Sequence, residues 1–183
     1  EVCKKAQERG LRVTGSELVG LIPLQSIIDA GKYFLKKQNR SVGIEESEII
    51  KIAIKTMGLD ELEEFNPNEK IIEYSINNDN GKLCKLSLVD FTQKTASEAP
   101  APGGGSVSAY LGSLGISLGT MVANLSSHKR GWDNRWEEFS NIAEKGQKHI
   151  KKLLELVDKD TESFNQIMQA FRLPENDLKE KKI

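Results

Sequence analysis

Hydrophobic positions along this chain mostly recur at helical spacing and alternate in only two places. Leu24, Ile27, Ile28, Phe34 and Leu35 predict a helix over 24–37, with Pro23 at its permitted first turn. Ile49, Ile50, Ala53, Ile54 and Met57 share one face of a second helix over 45–57, and Gly58 ends it. Residues 1–9 read as helix up to Gly10. Residues 11–22 (LRVTGSELVGLI) are β-branched and apolar with Gly15 and Gly20 inside, which predicts a strand pair or a bent strand. Residues 70–76 (KIIEYSI) alternate enough to predict a short strand. The turn formers at 77–81 (NNDNG) are the clearest break, and 82–89 reads as a strand or an extended connector. Beyond residue 88 the pattern is helix plus one loop. The expected fold class is therefore α+β: a short α/β piece over 1–76, a linker at 77–87, and an all-α helical bundle over 88–183.

One helix in the second part is unusual. Residues 107–125 carry no charge, enough to nearly span a bilayer, yet they include four Ser/Thr and three Gly and lack flanking aromatic belts. A buried helix of a soluble bundle is the expected reading, with no membrane partner. Ser108, Gly112, Gly115, Gly119 and Ala123 lie on one face. Each helical glycine costs about 1 kcal/mol against alanine, so a flat face must be needed there. Either another helix packs very close or a planar ligand lies against it. The opposite face (Val107, Tyr110, Leu111, Leu114, Leu118, Met121, Val122, Leu125) reads as ordinary core.

Composition narrows the function classes. Twenty-six Lys and Arg against 27 Asp and Glu leave a formal charge of −1, without the basic excess of a nucleic-acid binder. Cys3, Cys84, His128 and His149 are scattered, so neither a structural metal nor a disulfide framework is expected. The start of the chain does not read as a signal peptide, which makes the cytoplasm the expected compartment.

Three features carry candidate chemistry. At 99–106 (APAPGGGS), Gly103, Gly104 and Gly105 bare the backbone, and Ser106 reads as the N-cap of the next helix. Such a turn suits an anionic or polar ligand, or is simply a linker and a cap. His128, Lys129 and Arg130 follow that helix and either complement its C-terminal dipole or bind carboxylates and phosphates, with Trp132 or Trp136 as a stacking face. In the last helix, Ile150, Leu153, Leu154, Val157, Phe164, Ile167, Met168 and Phe171 form one apolar stripe. At about 100° per residue, Asp160 falls roughly 50° from the stripe's centre and Asp158 roughly 110° off, on the solvated side. A carboxylate facing a buried seam must be paired or become harder to ionise, and it is a usual general acid or base.

These stretches resemble known families. APGGGSVSAYLGSLGISLGTMVANLSSHKRGW with LVDKDTESFNQIMQAFRLP resembles the formimidoyltetrahydrofolate cyclodeaminase family over about residues 88–178. VTGSELVGLIPLQSIIDAGKYFL, IKTMGLD and NPNEKIIEY resemble the C-terminal end of the glutamate formimidoyltransferase family over about residues 2–75. The tandem order is similar to the bifunctional formimidoyltransferase-cyclodeaminase family. That resemblance implies a folate enzyme of histidine degradation. The transferase half would move a formimidoyl group from N-formimidoyl-L-glutamate to tetrahydrofolate. The cyclodeaminase half would close the product to 5,10-methenyltetrahydrofolate with release of ammonia and no metal. It implies Asp160 as the catalytic aspartate, and Gly103, Gly104, Gly105, Ser106, Lys129 and Arg130 as folate-binding. Folate polyglutamate tails would suit the basic pair. A homo-oligomer built through helix packing is also implied.

The same resemblance places the start of the chain inside the transferase, beyond its catalytic histidine. It places the end about halfway through the cyclodeaminase. Two alternatives stay open: a methenyltetrahydrofolate cyclohydrolase, which shares the PGGGS motif, or a structural segment without chemistry of its own.

Overall fold

A computed structural model of the chain describes residues 2–13, 15–76 and 83–172. Two compact units emerge: residues 1–78 with 123–144, and residues 79–122 with 145–183. The expected turn at 77–81 and the tail at 175–183 lie outside the described residues.

The first unit opens with α1 (Val2–Glu8), and Gly10 follows in the left-handed region at φ 74°. Helices α2 (Leu24–Lys37) and α3 (Glu46–Met57) come where the apolar spacing puts them, and Gly58 terminates α3 at φ 64°. Pro23 stands just before α2, at its N-cap. The cap interaction comes from elsewhere, since the Leu24 N–H donates to Glu73 Oε2 at 2.7 Å. The two helices pack closely: a Cβ on Gly31 would lie 2.6 Å from Ile49 Cγ2. Ile27, Ile50, Ala53, Ile54, Phe65 and Ile71 form the core there, and Leu35, Val42 and Ile49 a second cluster.

The expected strands are absent among the described residues, so the α/β half of the fold expectation is corrected to helix. Asn66 accepts the Asn68 N–H at 3.1 Å and Pro67 sits in the first turn of α4 (Pro67–Lys70). That cap-and-proline start outweighs the brief alternation after it. Helix α5 (Ile72–Ile76) follows at once. Only a bridge remains, between Ile22 and Ile71, with Ile22 N–H donating to Lys70 O at 2.9 Å and Ile72 N–H to Ile22 O at 3.1 Å. Residues around Ser16 instead close the end of α3. The Ser16 N–H donates to Gly58 O at 3.1 Å and its hydroxyl to Met57 O at 2.8 Å.

Residues 123–144 join this unit through a buried polar clasp. Ser41 Oγ donates to Asn124 Oδ1 at 2.7 Å, Asn124 Nδ2 to Gly43 O at 2.8 Å, and the Val42 N–H to Ser140 Oγ at 3.0 Å. A Cβ on Gly43 would overlap the Ala143 backbone, so only glycine permits this approach. Lys32 pairs with Glu144 at 2.6 Å.

Where 82–89 read as a strand or an extended connector, the second unit has a 3-10 turn, Leu83–Lys85, and helix α6 (Leu88–Thr95). Ser87 caps α6 by accepting the Asp90 N–H at 3.1 Å. The Ala101–Pro102 peptide is cis. Helices α7 (Gly104–Ser126) and α8 (Trp136–Arg172) follow, and the division between units falls within both. In the second unit they run antiparallel, for Ser106 meets Val157 and Asp160, Gly112 meets Leu153, and Thr120 meets Gly146.

Neither the glycine face nor the leucine face expected to pack is the buried side of α7. Ser106, Ser113 and Thr120, seven apart, are buried, while Leu111 (61% exposed), Leu114, Leu118, Met121 and Val122 are not. Nothing lies within 4 Å of a Cβ on Gly115 or Gly119. The reason is hydrogen bonding. Ser113 donates to Tyr110 O at 2.7 Å and Thr120 to Ile116 O at 2.8 Å, so short hydroxyl side chains bury without orphaned groups. By length and composition alone α7 is apolar enough to cross a membrane.

Candidate functional site

The glycine turn and the carboxylate of α8 meet at the start of α7. The helix begins three residues earlier than expected, at Gly104. Gly103 O accepts the Val107 N–H at 3.1 Å, which makes Gly103 the N-cap and puts Ser106 inside the first turn. The first amides of any helix lack internal partners. Here Asp160 supplies one, its Oδ2 accepting the Ser106 N–H at 2.9 Å. The Ser106 hydroxyl lies 2.8 Å from Val157 O, 3.1 Å from Asp160 Oδ2 and 3.3 Å from Thr161 Oγ1. Ser106 is fully buried.

Gly105 makes the approach possible. A Cβ on it would lie 2.6 Å from Asp160 Cγ and would overlap Oδ1. Gly103 and Gly104 have open space where their side chains would be. So Gly105 is glycine for the sake of the carboxylate, and its two neighbours leave a bare surface beside it.

Asp160 is exposed, not buried as the stripe implied. The stripe itself is half-open, with Phe164, Ile167, Met168 and Phe171 exposed. The carboxylate is nonetheless anchored, because a helix N-terminus holds one oxygen. Among the described residues no hydrogen bond reaches Oδ1. Asp160 is thus tied to α7 through one oxygen while its side chain is exposed. Asp158 is also corrected: it is half-buried and its Oδ1 accepts the Leu83 N–H at 2.7 Å. Two carboxylates two residues apart on a helix point about 200° apart, and here one ties the 3-10 turn while the other ties α7.

Lys129 and Arg130 belong to the first unit and are exposed. Lys129 Nζ stands 4.5 Å over the Trp132 ring, which stacks on Phe139 at 5.2 Å and 11°. Arg135 lies over both rings and grips Glu138 with two 2.8 Å bonds. That hydrogen-bonded pairing holds the Glu138 carboxyl below its ordinary range. Trp132 is therefore already engaged by its own neighbours. Trp132 is a stacking face expected from sequence, whereas Arg135 and Phe139 carry no such signal, because Trp132 and Arg135 precede α8 and α-helical spacing does not relate them to Phe139. Among the described residues no three His, Cys, Asp or Glu groups cluster as a metal site.

Comparison with known proteins now bears on this geometry. A family model described as Formiminotransferase-cyclodeaminase matches residues 87–183, and one described as Formiminotransferase domain matches residues 1–77. The chain belongs to the formiminotransferase-cyclodeaminase family. The family's two matches meet either side of the linker expected at 77–87. Formimidoyltransferase-cyclodeaminase from Gallus gallus is 36% identical over 99% of this chain and 34% of its own length; that from Mus musculus is 35% identical over the same shares. The chain thus spans about a third of the length of these curated relatives. A Methenyltetrahydrofolate cyclohydrolase from Methylorubrum extorquens is 34% identical over 52% of this chain and 46% of its own length.

Proposed function

We propose that this chain supplies the cyclodeaminase chemistry of a bifunctional folate enzyme in histidine degradation. The substrate is 5-formimidoyltetrahydrofolate and the products are 5,10-methenyltetrahydrofolate and ammonia. The observation that carries the reading is the Asp160 carboxylate, held by Ser106 over Gly105 with its second oxygen open. Folate N10 attacks the carbon of the protonated formimidoyl group (N5–CH=NH2+), whose nitrogen becomes an amine, and loses its own proton to Asp160 Oδ1. The same proton then passes to the amine, which leaves as ammonia as the carbon–nitrogen bond breaks. A group that takes and returns one proton serves both steps.

The bare backbone at Gly103 and Gly104 gives the folate a surface beside that oxygen. The Lys129–Arg130 pair, in the first unit, has the charge to attract carboxylates such as those of a glutamate tail. The residues matched to the transferase would serve delivery of the formimidoyl group from N-formimidoyl-L-glutamate. A metal-free reaction, a homo-oligomer and a cytoplasmic site of action complete the reading. The cyclohydrolase relative favours a second reading, hydrolysis of methenyltetrahydrofolate at the same carboxylate.

The test uses the full-length protein with 5-formimidoyltetrahydrofolate and follows ammonia. Release by the wild type, lost in Asp160→Asn while binding of a folate analogue survives, supports the reading. Asparagine keeps an acceptor for the Ser106 N–H, so the fold should persist. Full turnover in Asp160→Asn removes this carboxylate from the mechanism. Water-dependent opening of methenyltetrahydrofolate without ammonia release selects the second reading, and no folate binding leaves a structural segment.

A further inference from the structure

We propose that Gly105 and Ser106 act as positioning residues for Asp160 rather than as contacts to the folate; the proposal rests on the cyclodeaminase reading above. Ser106 is fully buried, so its hydroxyl faces protein and not ligand. Its backbone N–H is a rigid donor that fixes Asp160 Oδ2 at 2.9 Å. Its hydroxyl carries a single proton and has three oxygens in reach: Val157 O at 2.8 Å, Asp160 Oδ2 at 3.1 Å, and Thr161 Oγ1 at 3.3 Å, which can donate or accept. When the carboxylate is charged, the hydroxyl can donate to it. When the carboxylate has taken a proton, the hydroxyl can turn to Val157 O, and neither group is orphaned. Asp160 can therefore accept and return a proton without moving. Gly105 sets the direction: the space its missing side chain leaves is where Oδ1 stands.

Three variants separate positioning from ligand contact. Gly105→Ala gains helix propensity while its Cβ meets the carboxylate, so its melting temperature is measured beside its activity and kcat is compared where the variant is folded. Its Cβ displaces the carboxylate. We expect kcat for ammonia release to fall at least about tenfold with KM within about twofold, as for a group that matters only in the transition state. Ser106→Ala removes one bond to a charged group, worth about a tenfold loss or more in kcat, and Ser106→Thr, which keeps the hydroxyl, should recover most of it. A rise in KM with kcat unchanged would mean that these residues touch folate, and the proposal falls.

Amide exchange gives a second readout independent of turnover. The Ser106 amide should exchange slowly in the wild type and faster in Asp160→Ala and in Gly105→Ala. Unchanged protection in Gly105→Ala overturns the displacement. If the wild type releases no ammonia, or Asp160→Asn is fully active, the reaction assigned above is wrong. The exchange data then still decide whether Gly105 and Ser106 hold the carboxylate.

Discussion

Replacing Asn124 by alanine tests the clasp that ties residues 123–144 to the loop after α2. Asn124 is half-buried and makes two side-chain bonds across it, accepting from Ser41 Oγ at 2.7 Å and donating to Gly43 O at 2.8 Å. Ser41 is buried, so the variant strands its hydroxyl proton away from water. One net hydrogen bond is worth about 1 kcal/mol, and an orphaned buried donor costs about 1–3 kcal/mol more. Asn124→Ala should therefore destabilise the first unit by about 2–4 kcal/mol. Ser41→Ala removes the same bond and also the one that Ser41 Oγ accepts from the buried Gly43 N–H at 3.2 Å, so it should cost about 1–3 kcal/mol. The double variant removes the hydroxyl that Asn124→Ala strands and loses the shared bond only once, so its cost should fall short of the sum by about 1 kcal/mol or more. Urea unfolding followed by the fluorescence of Trp132 and Trp136 reads all three, with the slope checked for constancy. A loss below about 1 kcal/mol in Asn124→Ala, or strict additivity, would show that the clasp contributes little.

The remaining expectations concern other contacts. Gly146→Ala puts a Cβ against Thr120 (3.1 Å from its Cβ), so it should lower the melting temperature despite alanine's better propensity, and adding Thr120→Ala should restore it. Asp158→Ala should cost about 1–2 kcal/mol by stranding the Leu83 N–H, with faster amide exchange at Leu83, and should leave ammonia release far less affected than Asp160→Asn. Tyr74 is held above the ordinary phenol range, first by burial and then by its hydrogen bond to Glu46. Its unfolded form loses a proton near pH ~10 while the folded form keeps it, so stability should be intact below that pH and fall as pH rises beyond it. Tyr74→Phe should flatten that alkaline slope in urea titrations.

Local chemistry alone determined much of this protein. Apolar spacing located α2 and α3 because each presents one face to a single core. Gly58 marked an end because a left-handed residue there meets no Cβ penalty. The helical phase set Asp160 apart from Asp158 and the triple glycine stood out beside it; the two meet, but with Asp160 exposed where the apolar stripe implied burial. Tertiary structure decided the rest. Residues 11–22 and 70–76 have strand-like composition but gain only one bridge, since Asn66 and Pro67 start a helix first and the Ser16 region closes α3 instead. The buried side of α7 was misread because hydrophobicity ranks Leu above Ser, whereas close antiparallel packing on α8 selects small hydroxyl groups that can satisfy themselves. That residues 123–144 fold with 1–78 depends on contacts some eighty to a hundred positions apart, such as Ser41 with Asn124 and Val42 with Ser140. Spacing along a chain reports which residues share a face. Which partner that face meets is decided by long-range packing, to which no local pattern is sensitive.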